Sequence, residues 1–203
     1  MIQVPVVVVA IWVGVAATVF LMLVWSVQVN NRRWRMLAHA LQGKLRVYAG
    51  LALQRTITGS IRQHPFEIRE ASASRNVLPG TAIKVSLPMG YHLRIWKKRI
   101  PVFYPNLKKI TFGSEMENRG DIYRRYDFYT DDPDQAKALL TNAAKSRVVE
   151  QLVARGGFEV NPNHLLCTLR DRSMVDDPLQ HQEPSKTHQE FVRLLESMTS
   201  LAR

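Results

Sequence analysis

Residues 2–29 read IQVPVVVVAIWVGVAATVFLMLVWSVQV, and no charged side chain interrupts them. The hydrocarbon core of a bilayer takes about 20 apolar residues in helical form, so this run is long enough to cross. Sixteen of its residues are Val, Ile, Leu or Phe. Each favours insertion by roughly 0.3–0.6 kcal/mol at a central position. A buried core helix is the competing reading, but core helices of small domains carry a polar face and this run carries none. A cleaved signal peptide needs a basic stretch before a shorter apolar run. Here no Lys or Arg precedes the run, and Arg32 and Arg33 follow it directly. Residues 1–31 are therefore expected to be an uncleaved, single transmembrane anchor.

Outward from the anchor the chain turns basic. It holds 28 Lys and Arg against 17 Asp and Glu in 203 residues, a net charge of +11. Every basic residue lies after position 31. Such asymmetry points to an anionic partner: lipid head groups, nucleic acid or an acidic protein. The positive-inside rule favours lipid. It predicts an amino terminus outside and a cytoplasmic carboxyl-terminal domain at the inner (plasma) membrane.

Residues 32–43 are expected to continue the anchor helix as a basic juxtamembrane helix that leaves the membrane and docks on the soluble domain. Trp34, Leu37, Ala38 and Leu41 follow the spacing of one helix face, and Gly43 is a helix stop. Trp34 with Trp25 brackets the expected interface, and Arg32, Arg33 and Arg35 can meet phosphates.

Residues 44–203 read as a cytosolic α+β domain that should fold without the anchor. Short β-branched and aromatic runs alternate with turn residues up to about Thr130. The expected strands are Leu45–Tyr48, Thr56–Ile61, Phe66–Glu70, Ala82–Leu87, Leu93–Lys97, Lys108–Phe112 and Tyr123–Tyr129. His64-Pro65 reads as punctuation and Ser72–Pro79 as a loop. Asp132 and Pro133 start a helix, with Gln135 as capping-box partner. That helix runs to about Arg155, with a break near Thr141-Asn142, and Gly156-Gly157 ends it. Phe158–Val160 and His164–Leu169 are two further strands. Arg170–Lys186 reads as a polar linker. Thr187 and Glu190 read as the capping box of a last helix whose apolar face is Phe191, Leu194, Leu195, Met198 and Leu201. The fold class is α+β: one transmembrane helix, then a mainly antiparallel sheet with carboxyl-terminal helices packed on it.

No residue pattern states a catalytic chemistry. The six histidines form no paired-ligand spacing. The single cysteine, Cys167, allows no internal disulfide and sits in an apolar strand, as a core residue would. The phosphate loop, the dinucleotide fingerprint and the nucleophile elbow are all missing. Asp131, Asp132 and Asp134 could suggest a cation site, although helix capping accounts for them. No cofactor or metal is expected. The remaining feature is the basic stretch RIWKKRIPVFYPNLKK, residues 94–109. Arg94, Trp96, Lys97, Lys98 and Arg99 interleave cations with an aromatic ring. This composition suits lipid head groups or a protein partner, a solvated sheet edge, or, least of all, nucleic acid.

The segment YDFYTDDPDQA, residues 126–136, leads into a Leu-Leu helix and a short hairpin. With the anchor and the strand meander before it, this order resembles uncharacterised bacterial membrane-anchored proteins with one or two spans and a cytosolic α+β domain. The resemblance implies an architecture and carries over no catalytic residue. The expected function is a non-enzymatic accessory or scaffold subunit of a larger membrane complex, of the photosynthetic or respiratory kind. Its partners would be other membrane-protein subunits and anionic lipid head groups. The alternatives are a membrane-bound enzyme acting on a lipid or phosphorylated substrate, and a regulatory module binding anionic lipid.

Overall fold

The computed structural model describes residues 6–49, 53–71, 80–98, 105–113, 120–169 and 184–202. A single helix, α1 (Val6–Ala40), takes in both the apolar run and the basic segment after it. Three strands follow, β1 (Lys44–Ala49), β2 (Leu53–Ile61) and β3 (His64–Ala71). Then come β4 (Gly80–Ser86), β5 (Leu93–Lys97) and β6 (Lys108–Ile110). A short helix α2 (Asp121–Arg125) precedes β7 (Tyr126–Thr130). Helices α3 (Pro133–Thr141) and α4 (Ala143–Arg155) lead to the hairpin β8 (Gly156–Asn161) and β9 (His164–Leu169). Helix α5 (Pro184–Ser200) comes last.

The strands form one antiparallel sheet in the order β1-β2-β3-β4-β9-β8-β5-β7-β6. Alternate residues point to opposite faces of a sheet. Ile57, Ile68, Ile83, Val85, Leu93, Phe128, Phe158, Val160, Leu165 and Cys167 are buried on one face. Helices cover that face. The end of α1 lies on β1 and β2, α5 on β2 and β4, and α4 on β8 and β9. Phe191, Leu194, Leu195, Met198 and Leu201 of α5 are all buried, as their spacing predicts.

The last turns of α1 belong to this core. Trp34, Leu37, Ala38 and Leu41 are buried beside Ile57 and Phe66. Trp34 was expected at the lipid interface, but it is completely enclosed. Its ring is on the helix side that meets β2, and burying so large an aromatic surface outweighs leaving it at a wet boundary. Its indole N–H has no acceptor among the described residues. The chain leaves α1 through a left-handed residue at Gln42 (φ 50°), and the Gly43 N–H donates to Ala38 O at 2.8 Å. Gly43 is needed for a close approach. A Cβ there would come within 2.8 Å of Ile57 Cγ2 and 3.0 Å of Thr58 O.

Several boundaries differ from the sequence reading. Tyr123 lies in α2, so the expected strand Tyr123–Tyr129 starts only at Tyr126. His64 and Pro65 are in β3, after a two-residue turn at Arg62-Gln63 with φ of 48° and 69°. Pro65 pairs with Ser60, and the β3–β4 ladder begins one residue later at Phe66, so its missing N–H spoils little. Gly156 and Gly157 open β8 instead of lying between elements. Helix α5 begins at Pro184, which puts Thr187 and Glu190 inside it instead of at its cap. The expected loop 72–79 and residues 170–183 of the expected linker lie outside the described residues.

The break at Asn142 is real. Its Oδ1 accepts from the N–H groups of Ala144 and Lys145 at 3.1 Å each, capping α4. Asp132 caps α3 in the same way, accepting from Asp134 N and Gln135 N at 3.1 Å. The capping box is altered. The Gln135 amide donates to the Asp132 carboxylate at 3.0 Å, while the Asp132 N–H goes to Thr130 Oγ1 at 3.1 Å.

The shared core leads to a first prediction. A fragment starting at Lys44 lacks Trp34, Leu37 and Leu41, each worth roughly 3 kcal/mol when removed from a core. It is expected to show no cooperative thermal transition by circular dichroism. A fragment starting at Asn30 is expected to melt cooperatively. Equal melting of the two would mean that the α1 turns add nothing to the core.

Candidate membrane-facing site

Residues 8–26 of α1 are all exposed, and partial burial starts at Val27. The helix leaves the domain at Asn31. There the Arg55 side chain, 5% exposed, donates from Nε to Asn31 Oδ1 at 2.7 Å. Its Nη1 donates to Glu70 Oε1 at 2.6 Å, and its backbone N–H reaches Glu70 Oε2 at 3.3 Å. Three elements, α1, β2 and β3, are thereby tied at the point where the apolar helix emerges. Sequence reading missed this group, because Arg55 and Glu70 look like ordinary solvated strand charges until the register is known.

The basic residues singled out from sequence fall into two groups. On α1, Arg32 and Arg35 are exposed and Arg33 is half-buried. On β5, Arg94 and Trp96 are half-buried on the uncovered face, and Lys97 and Lys98 are exposed. Arg99 lies outside the described residues. The register relates the two groups. One row of the sheet runs Glu70, Thr81, Leu169, Gly156. Strand β5 runs antiparallel to β8 with Arg94 opposite Glu159, so Lys97 lies at the Gly156 end. Lys97 and Lys98 thus occupy the same end of the sheet as the Arg55–Glu70 pair. Helix α2 adds exposed Arg124 and Arg125 there, and the Lys98 N–H donates to Arg125 O at 3.0 Å.

The uncovered face carries cross-strand ion pairs. Arg94 Nε is 3.6 Å from Glu159 Oε2, and Lys109 Nζ is 3.0 Å from Asp127 Oδ1. The hydrogen bond that the Lys109 ammonium donates to the Asp127 carboxylate holds it above its usual pKa. Both pairs are solvent-accessible and contribute little net stability. Two open clefts border this region. One, of about 380 Å³, is lined by Lys98, Lys109, Tyr126 and Asp127 and by the rings of Phe112, Tyr123 and Phe128, of which Phe112 meets the other two edge to face. The other, of about 480 Å³, is lined by His92, Arg94, Asn106 and Asp131. Asp131 there accepts from the His92 N–H at 2.7 Å, so its carboxylate holds a loop. Burial pushes the Cys167 thiol up to about 12. Burial, with Asp132 nearby, does the same to the Tyr91 hydroxyl. Neither is a nucleophile at neutral pH. Among the described residues no three His, Cys, Asp or Glu side chains converge as metal ligands.

The geometry defines a class of protein: a two-layer α+β domain built onto the end of a long apolar helix. No family model matches the chain, and no curated protein matches it. Among solved structures, the crystal structure of the mycobacterial trehalose monomycolate transport factor A has a similar fold. The TM-score is 0.50 at 13% sequence identity, covering 83% of this chain and 96% of that one. At this identity the likeness is one of fold.

His164 supplies a test of electrostatics on the uncovered face. Partial burial, then Lys84 and His92, lower its pKa below 6.5. The folded state therefore prefers the neutral ring. Stability from this source is complete above the unfolded value and is lost as pH falls below about 6.5. Burial lowers His188 in the same direction. Melting temperature is expected to drop between pH 7 and pH 5, and His164→Gln to flatten that slope. An unchanged slope would remove His164 as a contributor.

Proposed function

We propose that this protein is a membrane-anchored accessory factor that works through contacts rather than catalysis. The supporting observation is the division of α1. Its apolar residues 8–26 stand clear of the domain, and its last turns are built into the core. Nineteen helical residues span about 28 Å, close to the thickness of a hydrocarbon core. Because anchor and domain share one unbroken helix, the domain is carried directly beneath the head groups. Arg32, Arg35, Lys97 and Lys98 are placed to meet an acidic surface there, at roughly 1 kcal/mol each. That surface is formed by anionic lipid and by the membrane-protein subunits the factor assists. The fold neighbour is named as a transport factor, and assistance to a membrane transport step is the accessory role we favour. The excess of Lys and Arg after the span gives an orientation with the amino terminus outside and the domain in the cytoplasm.

Two experiments test this reading. In mild detergent the tagged chain is expected to recover membrane-protein partners. Lys97→Glu with Lys98→Glu should lower that recovery about tenfold without shifting the melting temperature, and added salt should weaken recovery by the native chain. Recovery untouched by both would assign the cluster to a solvated edge. For orientation, Ala144→Cys places an exposed thiol on α4, whereas Cys167 is buried. It is expected to resist an impermeant maleimide in intact cells and to react once the membrane is opened. Labelling in intact cells would reverse the orientation.

A further inference from the structure

Outside α1, the large apolar side chains exposed among the described residues are Val47 (44%) and Tyr48 (51%). Both lie on β1, the edge strand of the sheet, whose sheet neighbour is β2. Natural proteins protect such edges with charge, and β1 begins that way, with Lys44 and Arg46 exposed. Its second half departs from the pattern. The two apolar side chains occupy the end of the strand, just before the last ladder pair, Ala49 with Leu53.

The register explains where that end is. Val47 pairs with Arg55 and Tyr48 with Gln54. Arg55 is the residue hydrogen-bonded to Asn31, where α1 leaves the domain. Strand β2 then proceeds away from that point, since Gly43, beyond the end of α1, packs against Ile57 and Thr58. Strand β1 therefore returns toward the anchor. Tyr48 lies one residue further along than the Arg55 row, about 3.3 Å nearer the apolar helix. Two adjacent elements thus share one polarity gradient. On α1 the order toward the amino terminus is Arg35, Arg32, then uncharged residues. On β1 the order toward the hairpin is Lys44, Arg46, then Val47 and Tyr48.

We propose that the Val47–Tyr48 end of the β1–β2 hairpin is a second membrane contact, seated in the interfacial layer of the bilayer that α1 spans. Tyr48 is suited to the head-group depth, where an amphipathic ring keeps its hydroxyl wet and its face in apolar surroundings. Val47 adds apolar area on the other face of the strand at nearly the same depth, and Arg46, Lys44, Arg32 and Arg35 lie below, on the phosphate side. A single helix would leave the domain free to rotate about its axis. A second contact fixes which face of the sheet looks along the membrane. This inference rests on the reading of α1 as a span.

The test uses the full chain in nanodiscs of phosphatidylglycerol and phosphatidylcholine with no other protein. Nitroxide labels are placed at Tyr48→Cys, at Val47→Cys, at Trp25→Cys inside the apolar run, and at Ala144→Cys, exposed near the start of α4 and roughly 18 Å along that helix from Gly156. Power saturation compares access to oxygen, which concentrates in lipid, with access to a water-soluble nickel complex. The expected result is an oxygen preference at positions 47 and 48 several-fold above that at 144 and below that at 25. Labels at 47 and 48 that match 144, while 25 reads as immersed, would overturn the second contact and leave the anchor standing. A water-like reading at 25 as well would overturn both. A label at 48 closed to both reagents would mean that another chain covers the strand, and would also overturn the proposal. Because Val47 and Tyr48 point to opposite faces of β1, either label suffices if the other substitution disturbs folding.

Discussion

Arg55 is the residue on which the arrangement of helix and sheet depends. Its guanidinium is buried, and a charge removed from water costs several kcal/mol unless its donors are matched. Here Nε goes to Asn31 at 2.7 Å and Nη1 to Glu70 at 2.6 Å. The pair with Glu70 stays inside the sheet. The bond to Asn31 is what ties α1 to it. If α1 slid by one residue, Asn31 would move about 1.5 Å along and turn about 100°, leaving a buried donor unmatched. The interaction therefore specifies position more than it adds stability.

That fixed position gives one helix two environments. Over residues 8–26 the side chains of α1 are exposed in every direction, and below Asn31 Trp34, Leu37, Ala38 and Leu41 complete the core. Among the described residues, α1, α4 and α5 cover the sheet on one face only. Its other face is held by cross-strand pairs such as Arg94 with Glu159 and Lys109 with Asp127. Lys97 and Lys98 stand at the end of this wide sheet where α1 emerges, and Arg94, Lys109 and Lys84 lie along its wet face.

The apolar run, the alternating strands and the capped helices were legible because each is a local pattern. Residues 2–29 carry no charge, and an apolar run of that length is readable from the sequence as a long helix. The α5 face was readable from its 3.6-residue spacing, and Asp132 and Asn142 from the chemistry of helix starts. The Arg62-Gln63 turn was not readable, because neither residue is one that favours left-handed backbone. Trp34 was misassigned for a related reason. An indole beside arginines after an apolar run looks the same whether it faces lipid or a sheet.

The sequence alone determined that a long apolar helix precedes a basic α+β domain rich in antiparallel strands, since hydrophobic period and charge are properties of short segments. Tertiary structure decided what those segments meet. Strand order set β5 three places from β4 and brought Lys97 to the end of the sheet marked by Arg55. Register turned Val47 and Tyr48 toward the anchor. Packing decided that the last turns of α1, whose apolar face is visible in their spacing, dock on β1 and β2. Each of these depends on contacts between residues far apart in the chain, and no local pattern encodes which distant partner a strand or a buried charge will find.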